Sequence, residues 1–284
     1  MITYPLDVQG VLTRVLEAGP ADGPPILFLH GTANHAGRWT HNLAAQAAAG
    51  RRAFAIDLPG HGFAQKDAQA LCTVPDYADF AAAFLEQMCP GRAAVVVGTS
   101  LGGHVAARLT VARPQAVRAL VLVGSMGLVP IGADARARIQ GGASKQSRDA
   151  VATKFTRIVR DPRLVTPQWI DEEHRINNSP GAVDALTRLG RYIGERLDDD
   201  VAGPQLAAVD VPKLLVWGAV DPVVPLAIGQ AAHALLPGSR LAVIADTAHS
   251  PYLENATAFN RLLDEFLAGT LGTRAIADVE LARQ

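Results

Sequence analysis

Six short, almost uninterrupted apolar runs punctuate this chain: PPILFLHG (24–31), RRAFAIDLPG (51–60), AAVVVGTS (93–100), VRALVLVGS (117–125), PKLLVWG (212–218) and RLAVIAD (240–246). A strand with one face in water alternates apolar and polar residues. Runs without that alternation suit strands covered on both faces, which means a parallel sheet between two layers of helices. The intervening segments can supply those layers. YADFAAAFLEQM (77–88), LGGHVAARLTVA (101–112), PLAIGQAAHALL (225–236) and TAFNRLLDEFLAG (257–269) read as crossover helices. The opening LDVQGVLTRVLEAG reads as an antiparallel hairpin at the sheet's edge. The expected fold class is therefore α/β, a mostly parallel central sheet with helices on both faces.

One interval breaks the rhythm. After Ser125 no strand-like run returns until Val211, and the gap holds helical, arginine-rich segments such as SRDAVATKFTRIVRD, PQWIDEEHRINN and GAVDALTRLGRYIGERLDDD. It is too long for a structureless loop. We expect a helical cap inserted at 128–208 and a core domain built from 1–127 and 209–284, since 284 residues suit one large core with an insertion better than two full-sized domains.

Charge and composition narrow the partners. With 49% hydrophobic and 19% charged residues and a formal charge of -1, the chain suits a globular fold and offers no electrostatic case for nucleic acid or an anionic membrane. Acidic and basic residues balance within the insertion too, so a small-molecule substrate is the expected partner. Only Cys72 and Cys89 occur, outside any metal-binding spacing, and no histidine pair has helical ligand spacing beside a carboxylate. Neither a metal nor a cofactor is expected. The start, MITYPLDVQG, lacks a basic segment followed by an apolar one, and no run reaches the roughly 18–20 apolar residues that span a bilayer, so a cytoplasmic protein is expected.

The third apolar run ends in Gly98-Thr99-Ser100-Leu101-Gly102 and passes directly into a helical pattern. This strand–turn–helix context turns a short Gly-x-Ser-x-Gly motif into a nucleophile elbow, in which a tight turn exposes the serine and glycines relieve the crowding around it. Gly98, Gly102 and Gly103 answer that need. Ser100 would then stand at the carboxyl end of a central strand, where open α/β sheets bind ligands. A serine hydroxyl is a weak nucleophile until a base takes its proton, so a histidine oriented by a carboxylate is required. The backbone N–H of Leu101, just after the serine, would be one oxyanion donor.

At these residues the chain resembles the α/β-hydrolase family, through HGTANHAGRW, GTSLGG, WGAVDPVVP and AHSPYLENATAFN. The resemblance implies a Ser–Asp–His order along the chain, with the acid just after the strand ending in Trp-Gly and the histidine opening a His-x-Pro-x-x-Glu stretch. It thereby selects Asp221 and His249, and the N–H of Thr32 as the second oxyanion donor. Both side chains follow apolar runs, so both would emerge at the same sheet edge as Ser100. Asp246 is a rival orienter, three residues before His249. His104 reads as core and His61 as part of a turn, whereas His35 and His41 flank the oxyanion loop within reach of substrate.

In capped relatives an insertion at this place covers the serine and shapes the pocket. Met126 and Leu128, just after a strand, and Trp169 in the insertion are the candidate substrate-binding residues. The leading expectation is a cofactor-free serine hydrolase that cleaves a carboxylic ester through an acyl-enzyme. Hydrolysis of a C–C bond in a dienoic keto acid and enol-lactone hydrolysis are alternatives within the family. The C–C hydrolases usually carry Asn before the nucleophile and Trp shortly after the histidine, where this chain has Thr99 and, nearby, Tyr252. A small-molecule receptor without turnover is the alternative of another class.

Overall fold

The computed structural model describes residues 1–67 and 72–282. Nine strands form one sheet among them: β1 (Ile2–Val8), β2 (Val11–Ala18), β3 (Pro25–Leu29), β4 (Arg52–Ile56), β5 (Ala94–Thr99), β6 (Val117–Val123), β7 (Lys213–Gly218), β8 (Arg240–Ile244) and β9 (Val279–Leu281). Their order across the sheet is β1-β2-β4-β3-β5-β6-β7-β8-β9. From β4 to β8 every neighbouring pair is parallel, while β1 and β2 at one edge and β9 at the other run antiparallel.

The apolar runs are continuous because the sheet is covered twice. All six residues of β5 are buried, and consecutive side chains enter different cores. Ala94 and Val96 join Phe54, Phe84 and Leu109 on one face, whereas Val95 and Val97 join Phe28, Trp39 and Phe259 on the other. Each buried valine contributes about 1.5–3 kcal/mol of transfer free energy.

Helices α1 (Thr40–Ala48) and α2 (Val74–Met88) precede β5, and α3 (Leu101–Ala112) follows it. The second begins three residues before the apolar periodicity does, because Thr73 and Asp76 form a reciprocal capping box and Pro75 occupies the first turn. Between β6 and β7 lie α4 (Ala133–Ser144), α5 (Arg148–Ile158), α6 (Pro167–Asn177), α7 (Ala182–Arg196) and α8 (Gly203–Leu206). Ser147 and Thr166 cap α5 and α6, accepting the N–H groups of Ala150 and Trp169. Helix α9 (Leu226–Leu235) joins β7 to β8, and α10 (Pro251–Glu254) and α11 (Ala256–Leu267) follow β8.

Helices α5 and α6 carry a small core of their own, built on Val151, Phe155 and Ile158, with Trp169 and Ile170 packed against it. Val223 and Leu253, from the segments after β7 and β8, pack on the same cluster, so these helices lie against the carboxyl edge of the sheet. No helix among the described residues is long and apolar enough to cross a membrane.

Candidate active site

The turn from β5 into α3 holds Ser100 at φ 53° and ψ -115°, a left-handed conformation that costs a non-glycine residue about 1–3 kcal/mol. Its surroundings explain why the chain is glycine-rich there. A Cβ on Gly98 would lie 2.1 Å from Gly102 O, and one on Gly102 would lie 2.4 Å from Leu29 O and 2.5 Å from His30 O. The neighbouring strand and helix backbones therefore touch directly. Ser100 N–H is fixed by Val123 O at 2.9 Å, and Ser100 O accepts from Gly103, His104 and Met126 N–H groups.

Beside this turn, His249 Nδ1 lies 2.7 Å from Asp221 Oδ2. A carboxylate oxygen without a proton only accepts, so with that partner Nδ1 carries the proton and Nε2 keeps a free lone pair. The other carboxylate oxygen of Asp221 is fully engaged, accepting Val223 N–H at 2.8 Å and Val224 N–H at 2.9 Å. Gly124, immediately after β6, links the two halves of the site. A Cβ there would lie 3.1 Å from His249 Nδ1 and 3.2 Å from Asp221 Oδ2, while the preceding residue, Val123, holds the Ser100 N–H. Ser100 and the Asp221–His249 pair thus adjoin one short turn.

The loop after β3 approaches the serine from the other side. A Cβ on Gly31 would lie 3.2 Å from Ser100 Cβ and 3.8 Å from its Oγ, so the backbone leading into Thr32 rests on the Ser100 side chain. Leu101, fully buried, opens α3, where the first N–H groups have no partner within the helix. His30 braces the loop: its Nε2 accepts Leu58 N–H at 2.9 Å, leaving Nδ1–H to donate to Gly31 O at 2.8 Å. Burial pushes the His30 pKa down to about 4, so the ring is neutral at pH 7. Asp57, fully buried after β4, accepts Ala36 N–H at 2.7 Å, Phe63 N–H at 2.8 Å and Arg14 Nε at 2.8 Å, fixing the far end of the same loop.

The remaining candidates fall in different places. Asp246, the rival orienter, has a side chain 90% exposed and pairs with Arg160, away from His249. Met126 and Leu128 are fully buried in the core on the α2–α3 face. Trp169 lines a groove of about 380 Å³ together with His35, Arg38, His41, Glu172 and Leu253; Ser100, Asp221 and His249 are absent from its walls. His104 packs in the core with Nε2 donating to Asp200 O at 2.8 Å. The histidine at 61, also buried, belongs to the turn after β4, with Nδ1 3.1 Å from Pro59 O. Cys72 and Cys89 are free thiols. Among the described residues no group of His, Cys, Asp and Glu is arranged to hold a metal ion.

Glu254 carries no role that its residue type or spacing announces. Its Oε1 accepts Ala248 N–H at 2.8 Å and its Oε2 accepts Arg160 N–H at 2.6 Å, joining the histidine loop to the end of α5. Burial raises its pKa. Its one signal in the sequence is its place in the His-x-Pro-x-x-Glu stretch.

Residues 24–256 match the alpha/beta hydrolase fold family, and the chain belongs to it. It is 35% identical over 266 residues to the dihydrolipoyllysine-residue acetyltransferase component of the acetoin cleaving system of Cupriavidus necator H16, an alignment covering 93% of this chain and 68% of that protein. It is 33% identical over 227 residues to the pimeloyl-[acyl-carrier protein] methyl ester esterase of Neisseria meningitidis serogroup A strain Z2491, covering 76% of this chain and 68% of that one. Among solved structures, the 2-hydroxy-6-oxo-6-phenylhexa-2,4-dienoate hydrolase of Rhodococcus sp. strain RHA1 superposes with a TM-score of 0.84 at 21% identity, over 94% of this chain and 98% of that one. This last likeness is one of fold.

Proposed function

We propose that the protein is a serine hydrolase that cleaves a carboxylic ester of a small molecule through an acyl-enzyme. The 2.7 Å Asp221–His249 bond beside a serine held at φ 53° carries the reading. Ser100 attacks the ester carbonyl as His249 Nε2 takes its proton, and the tetrahedral oxyanion is met by the N–H groups of Leu101 and Thr32. His249 returns the proton to the leaving alcohol, then activates a water that attacks the acyl carbonyl and frees Ser100. Asp221 holds the imidazole in the required tautomer and stabilises its charged form. The likeness to a methyl ester esterase supports this choice of bond.

Residues 128–208 form the cap in this reading, and α5 and α6, packed on Val223 and Leu253, are its roof over the site. Deleting the cap is expected to change acyl chain-length preference or abolish turnover. The relative named as an acetyltransferase component favours a second reading, in which a thiol replaces water as the acyl acceptor. Adding a dithiol to the acylated enzyme separates the two, since a thioester product appears only if the thiol competes with water.

Intact-mass analysis after treatment with a fluorophosphonate tests the assignment. One adduct on the wild type and none on Ser100→Ala is the expected result. An enzyme that turns over esters yet stays unmodified overturns it. A panel of methyl esters, aryl esters, lactones and dienoic keto acids then identifies the bond.

A further inference from the structure

We propose that Lys154 and Asn177, both on the insertion between β6 and β7, are positioning residues for the oxyanion loop, so that the site is complete only when α5 and α6 are docked. This rests on the serine-hydrolase reading given above. Ala33, the residue after Thr32, has φ 51° and is 1% exposed. An alanine keeps that left-handed conformation only where its surroundings hold it there. Two side chains from the insertion do so by converging on one oxygen: Lys154 Nζ donates to Ala33 O at 2.9 Å, and Asn177 Nδ2 donates to the same oxygen at 3.1 Å.

Both donors are themselves fixed. Lys154 is paired with Glu173, whose carboxylate is fully buried and also accepts Arg38 Nη2 at 3.2 Å. The Arg38 guanidinium in turn lies over the Phe155 and Trp169 rings, 5.1 and 4.9 Å from their centroids. Asn177, 2% exposed, donates as well to Gln146 Oε1 at 2.8 Å, and Gln146 Nε2 donates to the carbonyls of Gly142 and Ala143 at the end of α4. A buried ion pair alone contributes little net stability, because desolvation offsets the attraction. What distinguishes this network is its target, a strained carbonyl next to the residue whose N–H is to meet the oxyanion. Loss of either donor lets the Ala33 peptide relax, which turns the Thr32 N–H off its line. The transition state suffers more than the ground state, since the charge that the N–H serves exists only there.

Four variants test the proposal. Lys154→Met is expected to lower kcat at least about tenfold while KM stays within about threefold, with the fluorophosphonate rate constant falling in parallel. Lys154→Arg, which keeps a donor, restores most of kcat. Lys154→Met/Glu173→Gln removes the carboxylate that pairs with Lys154 but restores no donor to Ala33 O, so kcat stays low. Asn177→Ala lowers kcat in the same direction. The proposal is overturned if folded Lys154→Met turns over at the wild-type rate, or if the double variant recovers kcat, which would make Lys154 only a counter-ion to Glu173. A wild type that no fluorophosphonate modifies and that hydrolyses no ester sinks the hydrolase reading instead, an outcome separate from either of these.

Discussion

Asp221 divides its carboxylate between two tasks: Oδ2 meets His249 Nδ1 at 2.7 Å, and Oδ1 accepts two backbone N–H groups from Val223 and Val224. Those N–H groups dictate how an amide would sit there. In Asp221→Asn the carbonyl oxygen must take the Val223 and Val224 side, which turns the amide NH2 toward the imidazole and forces the proton onto Nε2. The ring then cannot accept the Ser100 proton. A loss of about 10⁴-fold in kcat is expected, with little change in Tm, and single-turnover kinetics on an activated ester check it.

Gly124 combines φ 48° with a Cβ position 3.1 Å from His249 Nδ1. Gly124→Ala must therefore push the ring or the turn. We expect kcat to fall about 10²-fold, because small misplacements of a catalytic group are this costly. The destabilisation from an alanine at positive φ should be only about 1–2 kcal/mol. A variant that loses stability but keeps its rate would show that the ring tolerates the displacement.

Glu254 accepts Ala248 N–H on Oε1 and Arg160 N–H on Oε2. In Glu254→Gln one of those donors faces an NH2 group. The expected cost is about 1–3 kcal/mol from the unsatisfied donor, with a lower kcat because Ala248 precedes His249. Urea denaturation and steady-state rates on the same preparation measure both effects.

Four buried histidines make stability pH-dependent. Burial lowers the pKa of His30 and His104 to about 4 and of His61 to about 3, and holds His35 well below its ordinary value. Unfolded, each titrates near 6.5, so between roughly pH 6.5 and 4 the unfolded chain binds more protons. Stability is complete above pH 6.5 and is lost as the pH falls toward the folded-state values. Urea midpoints across that range should drop steeply, and His61→Gln should reduce the slope by about one proton. An unchanged slope would mean that this ring is charged in the folded protein.

The strands and the serine turn were legible because their signals are local. Each apolar run lies over its strand, and the glycines around Ser100 announce the backbone contacts that Gly98 and Gly102 make. Strand β9 was not read, since three half-exposed or exposed residues pairing with β8 at the sheet's edge carry no periodicity of their own. Helix α4 escaped because only Ala143 in it is buried, so its apolar face is faint. The braces of the site were the least readable. Lys154 and Asn177 reach Ala33 across 121 and 144 positions of sequence, and no spacing rule connects a lysine on one helix with a strained carbonyl so far upstream.

Strands β6 and β7 are sheet neighbours, with Leu120 opposite Lys213, although five helices separate them along the chain. The inserted segment accordingly departs and returns through adjacent doorways, and its length can vary without disturbing any strand's alignment. Under the proposed function, selectivity for different molecules can diversify there by lengthening or exchanging helices, while Ser100, Asp221 and His249 keep their places, provided that each replacement still reaches down to grip the loop after β3.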